Sequence, residues 1–455
     1  MILSIILKII IGLAALSLVV LIHELGHFIA ARLCKIEVTA FSLGFGKVLL
    51  RKKIGNTEYR LSILPLGGYC KMQGEHALID ALEHKEKKIS TEKGDFYYAS
   101  PLQRIVVAIS GPVANFLFAG LVFSLIMFIG YTERTYNNQI VLNSDYTKAQ
   151  PFSNDPNKLN SGDYITKING ENIENFSQIS LEFMASIDEE LLLEVQRDGS
   201  VLEVEYKPKL DNSGNLEIWP WINPVIESIL PNSHAETAGL QAGDVITEMN
   251  KREIFNKKDI DQIITEKPQL IEITLQRGNQ TVGITIIPDF NDSNFKMGIY
   301  FNVDYMENRI QTSNIISAFS QGYGEAIDML MLTAKGLIML FEGKLDLQDS
   351  IAGPMRLIES VGATAINYSI QLGFGTGLLK FFELIALISI ALFFMNLLPI
   401  PALDGGQIVL FIFETFKKKP LSPLLIYRYQ MIGTIMILVL VFFATTNDIL
   451  FYAGK

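Results

Sequence analysis

The chain has 455 residues, a formal net charge of −10 and only 19% charged residues, with a mean hydropathy of +0.28. At ~150 residues per domain the length excludes one small fold. The composition excludes a disordered chain and argues against a nucleic-acid partner, and it fits a membrane protein with attached water-soluble parts.

Taken in chain order, residues 1–33 open with an apolar run in which Ser4, Lys8 and Ser17 are the polar or charged residues before Ile22. That is near the ~20 residues a helix needs to cross a bilayer. The run leads straight into His23-Glu24-Leu25-Gly26-His27, not into a small-residue cleavage site, so it reads as a retained span. Residues 34–101 form a loop with 11 basic residues, and 102–130 hold a second span whose uncharged run covers Ile105 to Ile129.

Residues 131–310 carry 15 Lys+Arg and 29 Asp+Glu, a net of −14, against +4 for the remainder. Within them GDYITKINGENIENFSQIS from Gly162 aligns without gaps on GDVITEMNKREIFNKKDID from Gly243, with eight of nineteen positions identical. A repeat of this kind predicts two copies of one small α/β module, at 131–221 and 222–308. Residues 309–375 show apolar positions at helical spacing from Ile315 to Phe341, expected either on the membrane surface or packed in the core. A third span is expected within 376–404. The remaining stretch, 405–455, contains a loop with Lys417, Lys418 and Lys419 and a fourth span from Tyr427 to Ala444.

Positive charge marks the cytoplasmic side. The loops 34–101 and 399–428 are therefore expected in the cytoplasm, with the acidic modules and both termini outside. Cys34 and Cys70 have no CxxC spacing and read as free thiols.

The chemistry is concentrated in HELGH. On a helix, positions i and i+4 face one way, so His23 and His27 can hold one zinc ion, with Glu24 beside the open position as general base, the pattern of a metalloprotease. A third ligand has to come from another embedded stretch. Pro399 and Pro401 break the third apolar run just before Asp404-Gly405-Gly406. Irregular backbone at membrane depth belongs around a site or cavity, which makes Asp404 the candidate; the other reading is a helix N-cap.

These features resemble the site-2 protease family of intramembrane zinc metalloproteases, of the regulator of sigma-E protease type. HELGH, GPVANF at Gly111 to Phe116, the paired modules and NLLPIPALDGG occur in that order over essentially the whole chain. AETAGLQAGDVITEMN in the second module is similar to the core of PDZ domains. The implied architecture is a multi-pass α-helical membrane protein with four transmembrane helices, a tandem pair of α/β PDZ domains and a membrane-associated β-hairpin around residues 47–66.

The resemblance implies His23, His27 and Asp404 as ligands to one Zn2+ per chain and Glu24 as catalytic base. It implies Asn396 and Pro399, with the Gly44-Phe45-Gly46 segment, as substrate-binding residues. Asn115 resembles the family's intramembrane asparagine, with an interhelical hydrogen bond as the alternative. Residues 348–361 resemble a segment linking the outer domains to the core. The implied substrate is a single-span membrane protein, such as an anti-sigma factor already trimmed outside, with peptide termini as possible ligands of the PDZ domains. The implied setting is the cell inner membrane, with the modules periplasmic and the site towards the cytoplasm. A membrane-anchored PDZ adaptor with a structural metal site is the alternative function.

Overall fold

The computed structural model describes residues 2–86, 88–147, 155, 157–211, 214–288, 297–345 and 353–453, which include the end of the 348–361 segment but not its beginning. The chain forms two units, Met1–Tyr131 with Ile310–Lys455, and Thr132–Arg309.

The first unit opens with α1 (Ile2–Leu33), apolar on all sides. Strands β1 (Val38–Ile54) and β2 (Thr57–Met72) follow, turning at Gly55, where φ is +62°. Both strands bend in the middle. Residues 48–54 pair antiparallel with 57–62, whose other side pairs in parallel register with 40–43, which pair antiparallel with 68–72. Among the described residues the edges of this element without a paired strand are therefore 48–54 and 68–72, and the hairpin expected around 47–66 is part of a longer folded-back pair.

Next come α2 (His76–Glu83) and α3 (Pro101–Ile129). Ser100 caps α3 and forms a reciprocal capping box with Gln103, while Pro101 occupies the first turn, where its missing N–H costs nothing.

The second unit contains β3 (Tyr131–Thr135), β4 (Ile140–Leu142), α4 (Ser144–Thr147), β5 (Tyr164–Ile168), β6 (Glu171–Asn172), α5 (Phe176–Ala185), β7 (Leu191–Arg197), β8 (Ser200–Tyr206) and β9 (Ile218–Pro220). It continues with β10 (Ile226–Ile229), α6 (His234–Thr237), β11 (Val245–Met249), β12 (Arg252–Glu253), α7 (Lys257–Thr265), β13 (Ile271–Arg277), β14 (Gln280–Ile286), β15 (Ile299–Phe301) and β16 (Met306–Ile310).

The sequence repeat is a structural repeat. The sheets β6-β5-β7-β8 and β12-β11-β13-β14 have the same order. Each carries a register shift at the same place, between Ile165 and Lys167 and between Ile246 and Glu248. Asn175 and Asn256 cap α5 and α7 with their side chains, and Arg197 and Arg277 donate to the buried Asp163 and Asp244 at 2.7 Å. Each module encloses its own core, around Phe183 and Leu193 in one and Met249 and Ile273 in the other.

The chain returns to the first unit with α8 (Ile315–Phe341), α9 (Pro354–Leu372), α10 (Phe374–Leu397), α11 (Asp404–Lys417) and α12 (Pro423–Ala453). Among the described residues, four helical segments are long and apolar enough to cross a membrane: Ile6–Leu33, Pro101–Ile129, Phe374–Leu397 and Pro423–Tyr452.

The amphipathic helix α8 packs on the bundle, antiparallel to α3. Thr312 N–H donates to Met127 O, Tyr323 Oη donates to Leu117 O, and Gly322 lies against the Ser124 backbone. α9 lies antiparallel to α1, with Gly362 on Lys8 and Ile358 on Gly12. Small residues at these crossings let the backbones approach closely.

Candidate metal centre

His23 and His27 lie one turn apart near the end of α1. Their Nε2 atoms are 3.1 Å apart and the rings meet edge to face. Asp404 reaches them from the first turn of α11, its Oδ2 3.2 Å from His23 Nε2 and 3.5 Å from His27 Nε2. The helix N-cap is Leu403, and Asp404 is the first helical residue, a position where the helix dipole favours a carboxylate. The N-cap alternative is therefore not the arrangement found.

The tautomer of His27 follows from its surroundings. Nδ1 lies 2.8 Å from the Val107 carbonyl, which can only accept, so Nδ1 carries a proton, and in the neutral imidazole Nε2 then presents its lone pair to the cluster. Asp404 Oδ2 is buried and faces the two imidazole Nε2 atoms. Converging lone pairs repel one another, and a cation between them resolves the conflict. The three ligand atoms lie within 4.8 Å of one another. Two imidazoles and one carboxylate suit zinc, and three protein ligands leave a fourth tetrahedral position for water or substrate.

Glycines make room for this cluster. A β-carbon on Gly111 of α3 would collide with His27 Nε2 and crowd His23, and one on Gly26 would run into the Ser110 carbonyl. Gly405 and Gly406 lie against the carbonyls of Leu397 and Ile400, which closes the loop between α10 and α11. In that loop Ala402 has φ +77°, a conformation costly for a residue with a side chain and characteristic of functional sites.

Glu24 points into a cavity of about 700 Å³ whose wall includes His23, His27, Cys70, Asn396 and Asp404. Its side chain passes Gly68, where a β-carbon would lie 3.3 Å from Glu24 Cγ and 2.8 Å from the Ser42 carbonyl. The 68–72 edge thus borders the base.

Of the residues expected to bind substrate, Asn396 lines this cavity, while Pro399 is exposed and outside its wall. Gly44, Phe45 and Gly46 also lie outside the wall. Phe45 stacks on Tyr69, which is part of it, with ring centroids 6.2 Å apart. Asn115 is fully buried, and neither end of its amide has a hydrogen-bond partner among the described residues, so the interhelical bond is not formed.

The closeness of Gly68 to Glu24 and the place of Cys70 in the cavity wall are not legible in the sequence, where Cys70 reads only as a free thiol and Gly111 stands in GPVANF with no role of its own. The signal for Gly111 was present, since a glycine in an apolar helix facing a two-histidine turn implies close approach.

The donor set, with a carboxylate beside its open position, defines the class as a metalloprotease. The chain belongs to peptidase family M50, whose description matches residues 11–440. It is 34% identical over 452 residues to a protein of Treponema pallidum that carries a zinc metalloprotease name, covering 98% of this chain and 99% of that one. It is 31% identical over 458 residues to the regulator of sigma E protease of Haemophilus influenzae, covering 96% and 97%. It is 28% identical over 461 residues to the regulator of sigma-E protease RseP of Escherichia coli, covering 95% and 96%.

Proposed function

We propose that the chain is an intramembrane zinc endopeptidase that cleaves the transmembrane segments of single-span proteins already trimmed on the outer side. His23, His27 and Asp404 hold one zinc ion. The observation that carries this reading is the convergence of His23 Nε2, His27 Nε2 and Asp404 Oδ2 within 4.8 Å of one another, at the edge of a cavity that Glu24 shares.

Bound zinc would acidify a water molecule and polarise the peptide carbonyl. Glu24 takes the proton as water attacks and passes it to the leaving amide nitrogen. His27 is held for its role by Val107, and Asp404 by the first turn of α11.

A helical substrate shields its own carbonyls, so it must be locally extended before cleavage. The 68–72 edge borders Glu24 and would receive such a segment by main-chain pairing, which gives weak side-chain specificity. Asn396 reaches the same cavity, and Gly44-Phe45-Gly46 with Pro399 contact the substrate farther out. The acidic modules read as a tandem PDZ pair on the periplasmic side of the inner membrane, where they exclude untrimmed chains or hold peptide termini. Relatives named regulator of sigma E protease support a role in sigma-factor regulation, and an anti-sigma factor is the substrate that the family resemblance implies. A non-catalytic adaptor would need the ligands but no base, and the space provided for Glu24 at Gly68 argues against it.

The test is cleavage of a single-span substrate in proteoliposomes by the wild type and by Glu24→Gln. The wild type cleaves and the variant does not; full activity in Glu24→Gln would overturn the mechanism.

A further inference from the structure

We propose that the buried ion pair between Arg104 and Glu414 is a positioning device for the third metal ligand, setting the register of the helix that starts at Asp404. This rests on the reading of Asp404 as a ligand.

Arg104 Nη2 donates to Glu414 Oε1 at 2.9 Å, with the side chains only 3% and 9% exposed. The guanidinium also donates from Nε to the Ala99 carbonyl at 3.2 Å and lies 4.7 Å from the centre of the Phe411 ring. The group is therefore held on three sides.

α11 needs such an anchor because its direction is not inherited from α10. Leu398 is extended, Ala402 is left-handed, and two prolines lie between the helices. The buried face of α11, Gly405, Gly406, Leu410, Phe411 and Glu414, is mostly apolar. Apolar burial is non-directional and resists a small slide or rotation poorly. A charged fork meeting a carboxylate is directional. Buried ion pairs add little net stability, and their best-attested use is to fix register.

The spacing fits this role. α3 and α11 run antiparallel: Gly111 meets the same imidazoles as Asp404, and Arg104 meets Glu414. Arg104 is two turns before Gly111 on one face, roughly 10 Å along the axis, and Glu414 is roughly 15 Å beyond Asp404, at ~1.5 Å per residue. An arginine side chain spans the difference. Helix α3 is thus the common ruler, fitting the histidines at one level and the far end of the Asp404 helix at another.

The experiment follows zinc release from the detergent-solubilised full chain into a chromophoric chelator, together with its thermal unfolding midpoint. Arg104→Lys keeps the charge but loses the planar fork. Arg104→Met combined with Glu414→Leu removes both charges and refills the space. Each variant is expected to release zinc about 10-fold to 100-fold faster than the wild type, the range for groups that orient metal ligands. Leu410→Ala, which removes apolar burial from the same face and keeps both charged groups, should lower the midpoint and leave the release rate nearly unchanged. Wild-type release from folded Arg104→Lys overturns the inference, as does an equal acceleration by Leu410→Ala at a matched loss of midpoint. Asp404→Asn separates the two layers: if it holds zinc as firmly as the wild type, the ligand assignment itself fails. If it loses zinc while the pair variants do not, only the positioning role fails.

Discussion

Gly111 on α3 lies so close to His27 on α1 that a β-carbon there would overlap the imidazole Nε2. The absence of a side chain on one helix is thus what admits the metal ligands of another.

Gly111→Ala should therefore displace His27, lowering zinc occupancy and cutting turnover by at least about 100-fold, as expected when reacting groups shift by about 1 Å. Gly324→Ala, at a site on α8 with open space around it, should leave both unchanged. Zinc content by mass spectrometry and a cleavage assay on the same samples check the pair.

Gly68→Val should separate metal from base. A β-carbon there would press on Glu24 Cγ and the Ser42 carbonyl, and no metal ligand is among its three nearest neighbours. The expected result is full zinc occupancy with turnover reduced by about 100-fold or more. Loss of zinc in this variant would contradict the division of roles.

The repeated Asp–Arg pair makes a stability prediction for the second unit. Arg277 holds the Asp244 carboxyl below its ordinary pKa, and Asp244 is fully buried. Because the folded pKa is depressed, the stabilisation is present above the unfolded value of ~3.9 and is lost as pH falls through the folded pKa. Arg277→Ala leaves the Asp244 carboxylate with the Gln241 N–H and without its charged partner, so it should lower stability near neutral pH and cost less in acid. Both tryptophans of the chain, Trp219 and Trp221, lie in this unit, so fluorescence-detected unfolding of the full chain reports on it directly.

Removing the metal should loosen the first unit and spare the second. A ligand at 1,000 times its Kd stabilises by ~4 kcal/mol, so a chelator should lower the unfolding transition of the helical unit by that order. The tryptophan-detected transition should not move, and added zinc should restore the first. Hydrogen exchange along α1 and α11, both in the first unit, reports its loosening.

The parts of the site legible in sequence were those whose chemistry is local. His23, Glu24 and His27 share one helical turn, and Asp404 announced itself through the prolines that break the run before it. The module repeat was legible because GDYITKINGENIENFSQIS recurs without gaps as GDVITEMNKREIFNKKDID, which carries the core residue Ile165 over to Ile246 and Ile168 to Met249. What was hidden depends on pairing between distant segments. The folding back of β1 and β2, which puts 68–72 at the site, follows from bends near Gly44 and Gly67 that strand periodicity does not encode. The Arg104–Glu414 pair joins residues 310 positions apart, and neither lies in a motif.

The central claim is that His23, His27 and Asp404 hold the catalytic zinc. X-ray absorption at the zinc edge of the loaded full-length chain tests it most directly, read for the wild type and for Asp404→Asn. The account predicts two imidazole nitrogens and a carboxylate oxygen in the wild-type shell, with the carboxylate lost or the zinc released in the variant. A wild-type shell without imidazole, or an identical shell in Asp404→Asn, would contradict it.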